Sequence, residues 1–358
     1  MCLASDGTGE PSLVPQHVNA LIVSEKLVDG CPQALFEDPL INVLIFVGSL
    51  VVLDRACDLT VTNAVKISDV AGFGKKTIGF ILVAFCSSLP ALSVSVLASL
   101  TGRIDVAIGN ALGSNIANTS LILGVCLILL TLKSPKGSRL FAVSAKEETE
   151  TMYYGLFTGS AIPIILFYMG NASRILGIVL VAVFGAYTYW LVRRKQGPNV
   201  PSEAQPRPGL KKRLSLAFLG GAFVVVASYF LVDSASSIAL FMHVDQAVIG
   251  GTIVAFGTSV SVLSASVRAV MKGQADVSLG NVVGSIFVNA TLILGASLAL
   301  WALSVDVTIL FNVVLFSALT SVFVWFFLSS DWMNWKVGVV LVFMYFLFLV
   351  MSFGGYKP

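Results

Sequence analysis

Two stretches of the chain concentrate side chains suited to holding an ion. Ser87, Ser88, Ser93, Ser95 and Ser99 recur at short spacing in the first, followed by Asn110, Ser114, Asn115 and Asn118. The second carries Thr258, Ser259, Ser261, Ser264 and Ser266, followed by Asn281, Ser285 and Asn289. None of these groups titrates near neutral pH, so the chemistry they offer is coordination, through hydroxyl and amide oxygens of the kind that hard cations bind. Ser114 and Asn118 are four apart and share a helical face, as do Ser285 and Asn289. Pro90 has no N–H, so the carbonyl of Cys86 loses its helical partner and becomes available as a ligand. Ala84 is a second backbone candidate in this stretch, and Ala255, beside the helix-loosening Gly257, is the candidate in the other. The ion-binding set expected from these patterns is Ser87, Ser88, Ser114, Asn118, Thr258, Ser259, Ser285 and Asn289, with Ser88, Asn118, Ser259 and Asn289 as the inner metal ligands.

The two stretches are copies of each other. Residues 79–124 align with 250–295 at a constant offset of 171 without gaps, and 22 of the 46 pairs are identical. Small residues and Ser, Thr or Asn also mediate helix packing in membranes. Gly109, Gly113, Gly124, Gly280, Gly284 and Gly295 are assigned to that role. The matched Ser and Asn positions are assigned to a site lining, because packing alone needs no broken helix beside it.

The elements that carry these residues follow from composition. The chain has 358 residues, 56% hydrophobic and only 11% charged, with a mean hydropathy of +0.91. A soluble domain carries about 25% charged residues, so a soluble enzyme is excluded. Apolar blocks of about 20 residues match the hydrocarbon thickness of a bilayer. Ten transmembrane helices are read at roughly 40–66, 78–101, 105–132, 152–170, 173–193, 214–242, 248–271, 277–304, 307–329 and 333–353. Open sheet edges cannot exist in lipid, so the fold class is an all-α polytopic membrane protein. Five spans separate the copies, an odd number, so they enter the membrane from opposite sides. That is the inverted-repeat plan of secondary transporters.

Domain organisation follows. Residues 1–39 form a polar tail outside the cytoplasm, 40–193 the first five-helix half, 194–213 a basic cytoplasmic linker, 214–353 the second half and 354–358 a short C-terminal tail. Seventeen of the 22 Lys and Arg residues fall in or beside the loops after the odd-numbered spans. The positive-inside rule then places both termini outside the cytoplasm. The net charge of +3 is too small to argue for nucleic acid. The five cysteines make no framework: Cys57, Cys86 and Cys126 lie in apolar segments, and no Cys/His spacing suggests zinc. Buried serines without a His or Lys base at the same depth are not nucleophiles. With no GxSxG, HExxH or P-loop, no enzyme activity or cofactor is expected.

Charges inside the spans are functional suspects by default. Asp54 and Asp58 lie in the first span and Asp233 in the sixth, as gating or proton-carrying candidates, with Arg55 as a pairing partner for one of the first two. Asp105 and Asp276 are matched positions read as interfacial caps. Arg268 has Leu97 as its counterpart and is read as snorkelling to the membrane surface.

These repeats resemble the α-repeats of the cation/calcium exchanger superfamily, the sodium/calcium exchangers and their prokaryotic relatives. The family pattern runs G-T-S-L-P-E, then G-N-x-x-G-S-N-I-x-N/D. Here the first part reads Cys86-Ser87-Ser88-Leu89-Pro90-Ala91 and Gly257-Thr258-Ser259-Val260-Ser261-Val262. The second runs from Gly109-Asn110 to Asn118 and from Gly280-Asn281 to Asn289. The resemblance implies a secondary antiporter that binds sodium and calcium between spans 2, 3, 7 and 8 while spans 1 and 6 slide against that core. It also places Asp58 on a sliding helix. The departures are specific: the two family Glu positions hold Ala91 and Val262, and a third frequent acid position holds Asn289, matching Asn118. Calcium specificity is therefore expected to be weakened. Three alternatives stay open: a sodium or proton exchanger, a calcium exchanger that draws on Asp54, Asp58 or Asp233, and a non-transporting sensor or assembly relative.

Overall fold

The computed structural model describes residues 39–70, 85–133, 149–194, 210–301, 305–306, 310–329 and 334–354. The expected N-terminal tail, most of the basic linker and the carbonyl of Ala84 lie outside these residues.

The described chain is almost entirely helical. In order it runs α1 (Pro39–Val70), α2 (Leu89–Leu100), α3 (Ile104–Ile116), a π-turn π1 (Ala117–Ile122), α4 (Leu123–Lys133) and α5 (Thr149–Met169). A two-residue strand β1 (Asn171–Ala172), α6 (Arg174–Arg194) and α7 (Leu210–Phe241) follow. Next come α8 (Gln246–Ile249), π2 (Gly250–Val254), α9 (Ala255–Met271), α10 (Ala275–Val288), π3 (Asn289–Ile293) and α11 (Leu294–Leu300). The chain closes with β2 (Val305–Asp306), α12 (Phe311–Ser329) and α13 (Trp335–Phe353). Among the described residues, seven helical rods are long and apolar enough to cross a membrane, and three shorter apolar helices accompany them at Leu89–Leu100, Gly155–Leu166 and Arg174–Trp190. Large apolar side chains such as Leu44, Phe157, Tyr168, Phe218 and Phe343 stand exposed on the outer surface. An apolar exterior around a core containing many Ser, Thr and Asn is the reverse of a water-soluble protein and suits a lipid surround.

The sequence offset of 171 recurs in the helix bounds. Pro39–Val70 and Leu210–Phe241 are both 32 residues long and begin 171 apart. The π-turn at Asn289 starts 171 residues after Asn118, within π1. Packing repeats in the same way: α1 lies along α7, α5 along α12, α4 along α13, and α6 along α11. Antiparallel pairing of Asn171 with Asp306 and Ala172 with Val305 puts the α5–α6 and α11–α12 connections on one face. The Lys133 ammonium donates to the Met271 carbonyl, so the ends of α4 and α9 share the other face.

Glycine sets the closest crossing. A Cβ placed on Gly113 would lie 2.0 Å from the Gly251 carbonyl oxygen, and one on Gly109 would lie 2.4 Å from the Ala247 carbonyl oxygen. α3 and π2 thus touch backbone to backbone, as expected for small residues at membrane helix contacts. Gly124 against Gly338 and Gly177 against Gly295 repeat the arrangement in matched places.

The break expected beside Pro90 falls at Ser88: residues 85–87 are helical, Ser88 is a turn, and α2 starts at Leu89 with Pro90 in its first turn. Proline suits that position because its missing N–H has no partner there anyway. Asp105 is not a cap. Arg103 occupies the N-cap position without a side-chain cap bond, and Asp105 sits in the first turn of α3. There a carboxylate is favoured by the helix dipole instead.

Candidate functional site

Four elements converge at the centre: α2 packs on α9 and on π3, while α9 packs on π1. The backbone there is opened by the Ser88 turn and by the two π-turns at Asn118 and Asn289. Each π-turn carries hydroxyls that bond back to carbonyls four residues earlier. Thr119 Oγ1 donates to the Asn115 carbonyl at 2.7 Å, Thr291 Oγ1 to Phe287 at 2.5 Å, and Thr252 Oγ1, in π2, to Val248 at 2.6 Å. Such back-bonding loosens the regular ladder, and π-turns recur at functional sites.

Two buried asparagines tie the copies together. Asn110 Nδ2 donates to the Ala91 carbonyl at 3.1 Å and to Ser95 Oγ at 2.8 Å, and its Oδ1 accepts from Thr258 Oγ1 at 2.9 Å. Asn281 repeats this with the matched residues: Nδ2 donates to the Val262 carbonyl at 3.4 Å and Ser266 Oγ at 2.9 Å, and Oδ1 accepts from Ser87 Oγ at 2.8 Å. The structure therefore gives Ser87 and Thr258, two of the expected ligands, to an asparagine of the opposite copy. Ser285 Oγ lies 3.3 Å from Ser87 Oγ. Asn110 and Asn281 were not among the expected ligands; the Gly-Asn pair repeated in both copies is the signal that marks them. Asn110→Ala is expected to lower stability by on the order of 2 kcal/mol, since three buried partners lose their bonds together. Thermal unfolding in detergent, with Asn281→Ala expected to match it, checks this.

The inner four residues behave differently. Ser88 Oγ, Asn118 Nδ2 and Oδ1, Ser259 Oγ and Asn289 Oδ1 are buried without a hydrogen-bond partner among the described residues, and so is Ser114 Oγ. Asn118 is 0% exposed and Asn289 2%. Buried polar groups are normally paired, so matched orphans at one crossing are what a ligand-binding core leaves open. The oxygens suit a hard cation. Ala91 and Val262 are buried as well. Among the described residues no three His, Cys, Asp or Glu side chains come together.

The backbone candidates separate. Cys86 lies just before the Ser88 break, and the neighbouring Ser87 carbonyl accepts from Ser261 Oγ at 2.8 Å. The Ala255 carbonyl is not freed: Gly257 sits within the unbroken helix α9, and Thr258 Oγ1 reaches that carbonyl at 3.3 Å.

The charged candidates lie on the two long helices and at the turn before α3. Asp54 is half-buried on α1, where it interacts electrostatically with Asp58, Arg55 and Arg268 of α9; Asp58 is exposed. Asp233 of α7 forms an ion pair with Arg103 at 2.6 Å, joining α7 to the turn between α2 and α3. The pair is half-exposed, so a double-mutant cycle on Arg103→Ala and Asp233→Ala is expected to return a coupling below about 1 kcal/mol.

Comparison with known proteins places this arrangement. The family model described as sodium/calcium exchanger protein matches residues 41–193 and 213–354. A putative antiporter, CaxA, of Alkalimonas amylolytica is 32% identical over 264 residues, covering 71% of this chain and 79% of that protein. The sodium/calcium exchanger MaX1 of Methanosarcina acetivorans is 29% identical over 346 residues, covering 87% and 99%. In fold, the chain is similar to the sodium-calcium exchanger NCX_Mj soaked with 10 mM sodium and no calcium. The TM-score is 0.58 at 24% identity, with 88% of this chain and 99% of that one covered. The chain is thus a multi-pass integral membrane protein that belongs to the sodium/calcium exchanger family, a family of cation antiporters.

Proposed function

We propose that the chain exchanges cations by alternating access through a carboxylate-free site between α2, α3–π1, α9 and α10–π3, and that this site takes a monovalent cation, sodium, in preference to calcium. The observation that carries the reading is the matched set of partnerless polar atoms on Ser88, Asn118, Ser259 and Asn289, with Ala91 and Val262 beside them. The electrostatics explain the preference. A carboxylate about 4 Å from a unit positive charge is worth about 4 kcal/mol at an effective dielectric of about 20, and about twice that for a divalent ion. Losing the acids therefore penalises calcium twice as heavily as sodium. Neutral oxygens can still replace a monovalent hydration shell.

The matched helix bounds support ten crossings in two inverted halves. The distribution of Lys and Arg supports an outside location for both termini. α1 and α7 lie along each other and take the role of the moving pair, with Asp58 and the Arg103–Asp233 contact as gating elements. An alternative keeps calcium as substrate and draws on Asp54 and Asp58, favoured by the partial burial of Asp54 within a membrane helix.

Ion-dependent thermal stability in detergent tests the proposal, because a ligand that binds only the folded state raises its melting temperature. Sodium is expected to stabilise the protein and calcium to have little effect. Stabilisation by calcium that is lost in Asp54→Asn or Asp58→Asn would favour the alternative. Indifference to every cation would leave a non-transporting relative.

A further inference from the structure

A second group of partnerless buried polar atoms lies on another face of the third rod. Asn115 is 0% exposed, and neither its Nδ2 nor its Oδ1 has a partner among the described residues. Ser317 Oγ and Ser321 Oγ on α12 are also fully buried and without a partner there. α12 packs on α3 and π1, and Thr119 Oγ1 lies 2.8 Å from Thr320 Oγ1, which fixes the register between them. Asn115 is one turn before Thr119, and Ser317 is one turn before Thr320.

The repeat shows that this polarity is confined to one half. Asn115 matches Ile286 at the offset of 171, and Leu112 matches Val283. At an offset of 162, Gly155-x-x-Thr158-Gly159 of α5 matches Ser317-x-x-Thr320-Ser321 of α12. A Cβ on Gly159 would lie 2.5 Å from Ile286 Cγ2, and one on Gly155 would lie 2.7 Å from Val283 Cγ1. By that pseudo-symmetry Ser321 is the counterpart expected to meet Asn115, and Ser317 the counterpart expected to meet Leu112; Ser321 Oγ also lies 3.5 Å from the place of a Cβ on Gly159. An Ile–Gly contact that closes tightly in one half corresponds to an Asn–Ser pairing in the other, whose polar atoms have no hydrogen-bond partner among the described residues. Packing alone would be satisfied by the apolar version.

We propose that Asn115, Ser317 and Ser321 form a second cation site, separate from the central crossing, for a dehydrated monovalent cation such as sodium. Its ligands are the Asn115 amide oxygen and the two serine hydroxyls, flanked by the Thr119–Thr320 pair, on elements whose Ile116, Val313 and Phe316 belong to the buried apolar core. Neutral oxygens without an acid suit a single positive charge and not a divalent ion. The site does not depend on the central reading.

Equilibrium binding of radiolabelled sodium, counted per chain in detergent, tests it. Asn115→Ile combined with Ser321→Gly installs the residues that the other half already packs. Ser317→Ala combined with Ser321→Ala removes only hydroxyls, in case the first variant fails to fold. Each variant is expected to bind one fewer sodium per chain than the parent, while Asn118→Ala with Asn289→Ala loses ions from the central site and keeps this one. An unchanged count in both α12-site variants would mean that water alone fills the space, and would overturn the proposal while leaving the central reading intact. A parent that binds no sodium would overturn both.

Discussion

Gly113→Ala is expected to lower stability by on the order of 3 kcal/mol or more, the upper range for overpacking a close contact. The added carbon would fall 2.0 Å from the Gly251 carbonyl oxygen, which is backbone and cannot swing aside. Relief requires α3 and π2 to separate, and α3 leads directly into the π-turn that carries Asn118. The effect should therefore reach the ion site as well as the fold. Gly185→Ala is the control, because nothing lies within 4 Å of the added carbon there. In a helix interior that change is neutral or mildly stabilising. Melting temperatures of the two variants in detergent check the contrast; equal melting would mean that the close crossing is absent.

Restoring acids should have an equally large effect in the opposite sense. Val262→Glu together with Asn289→Asp is expected to raise calcium affinity by on the order of 100-fold. That corresponds to about 3 kcal/mol, a fraction of the direct attraction after desolvation of the new carboxylates. Calcium-dependent stabilisation should appear in the double variant and be absent from the parent. The position of Val262 supports the choice: it is buried, and its carbonyl accepts from Asn281 at 3.4 Å, so a longer side chain starts from an anchored backbone. A folded double variant with no response to calcium would mean that these positions do not face the ion.

Much of this was legible in the sequence because the repeats retain their identities. The matched Ser88, Asn118, Ser259 and Asn289 can be selected by alignment of the chain with itself, and each is buried with at least one polar atom that has no hydrogen-bond partner among the described residues. Contacts between the copies were not legible. Ser87 reads as a ligand equal to Ser88, yet its hydroxyl is taken by Asn281, 194 residues away, and Thr258 is taken by Asn110 in the same manner. The π-turns were missed for a related reason. Their hydroxyls, Thr119, Thr252 and Thr291, look like ordinary small polar residues until they are seen bonding to carbonyls one turn back. Gly257 differs in the other direction: it reads as loosening the helix, yet α9 runs through it from Ala255, and the loosened turn lies just before, at Gly250–Val254. The partner of Asp233 is 130 residues distant on another rod, so its ion pair could be found only in three dimensions.

The most direct test of the account is ion flux in proteoliposomes, with sodium and calcium gradients imposed separately across the membrane. The carboxylate-free site predicts sodium movement that Asn118→Ala with Asn289→Ala abolishes, and no sodium-driven calcium uptake by the parent chain. Robust sodium-driven calcium uptake by the parent would contradict it.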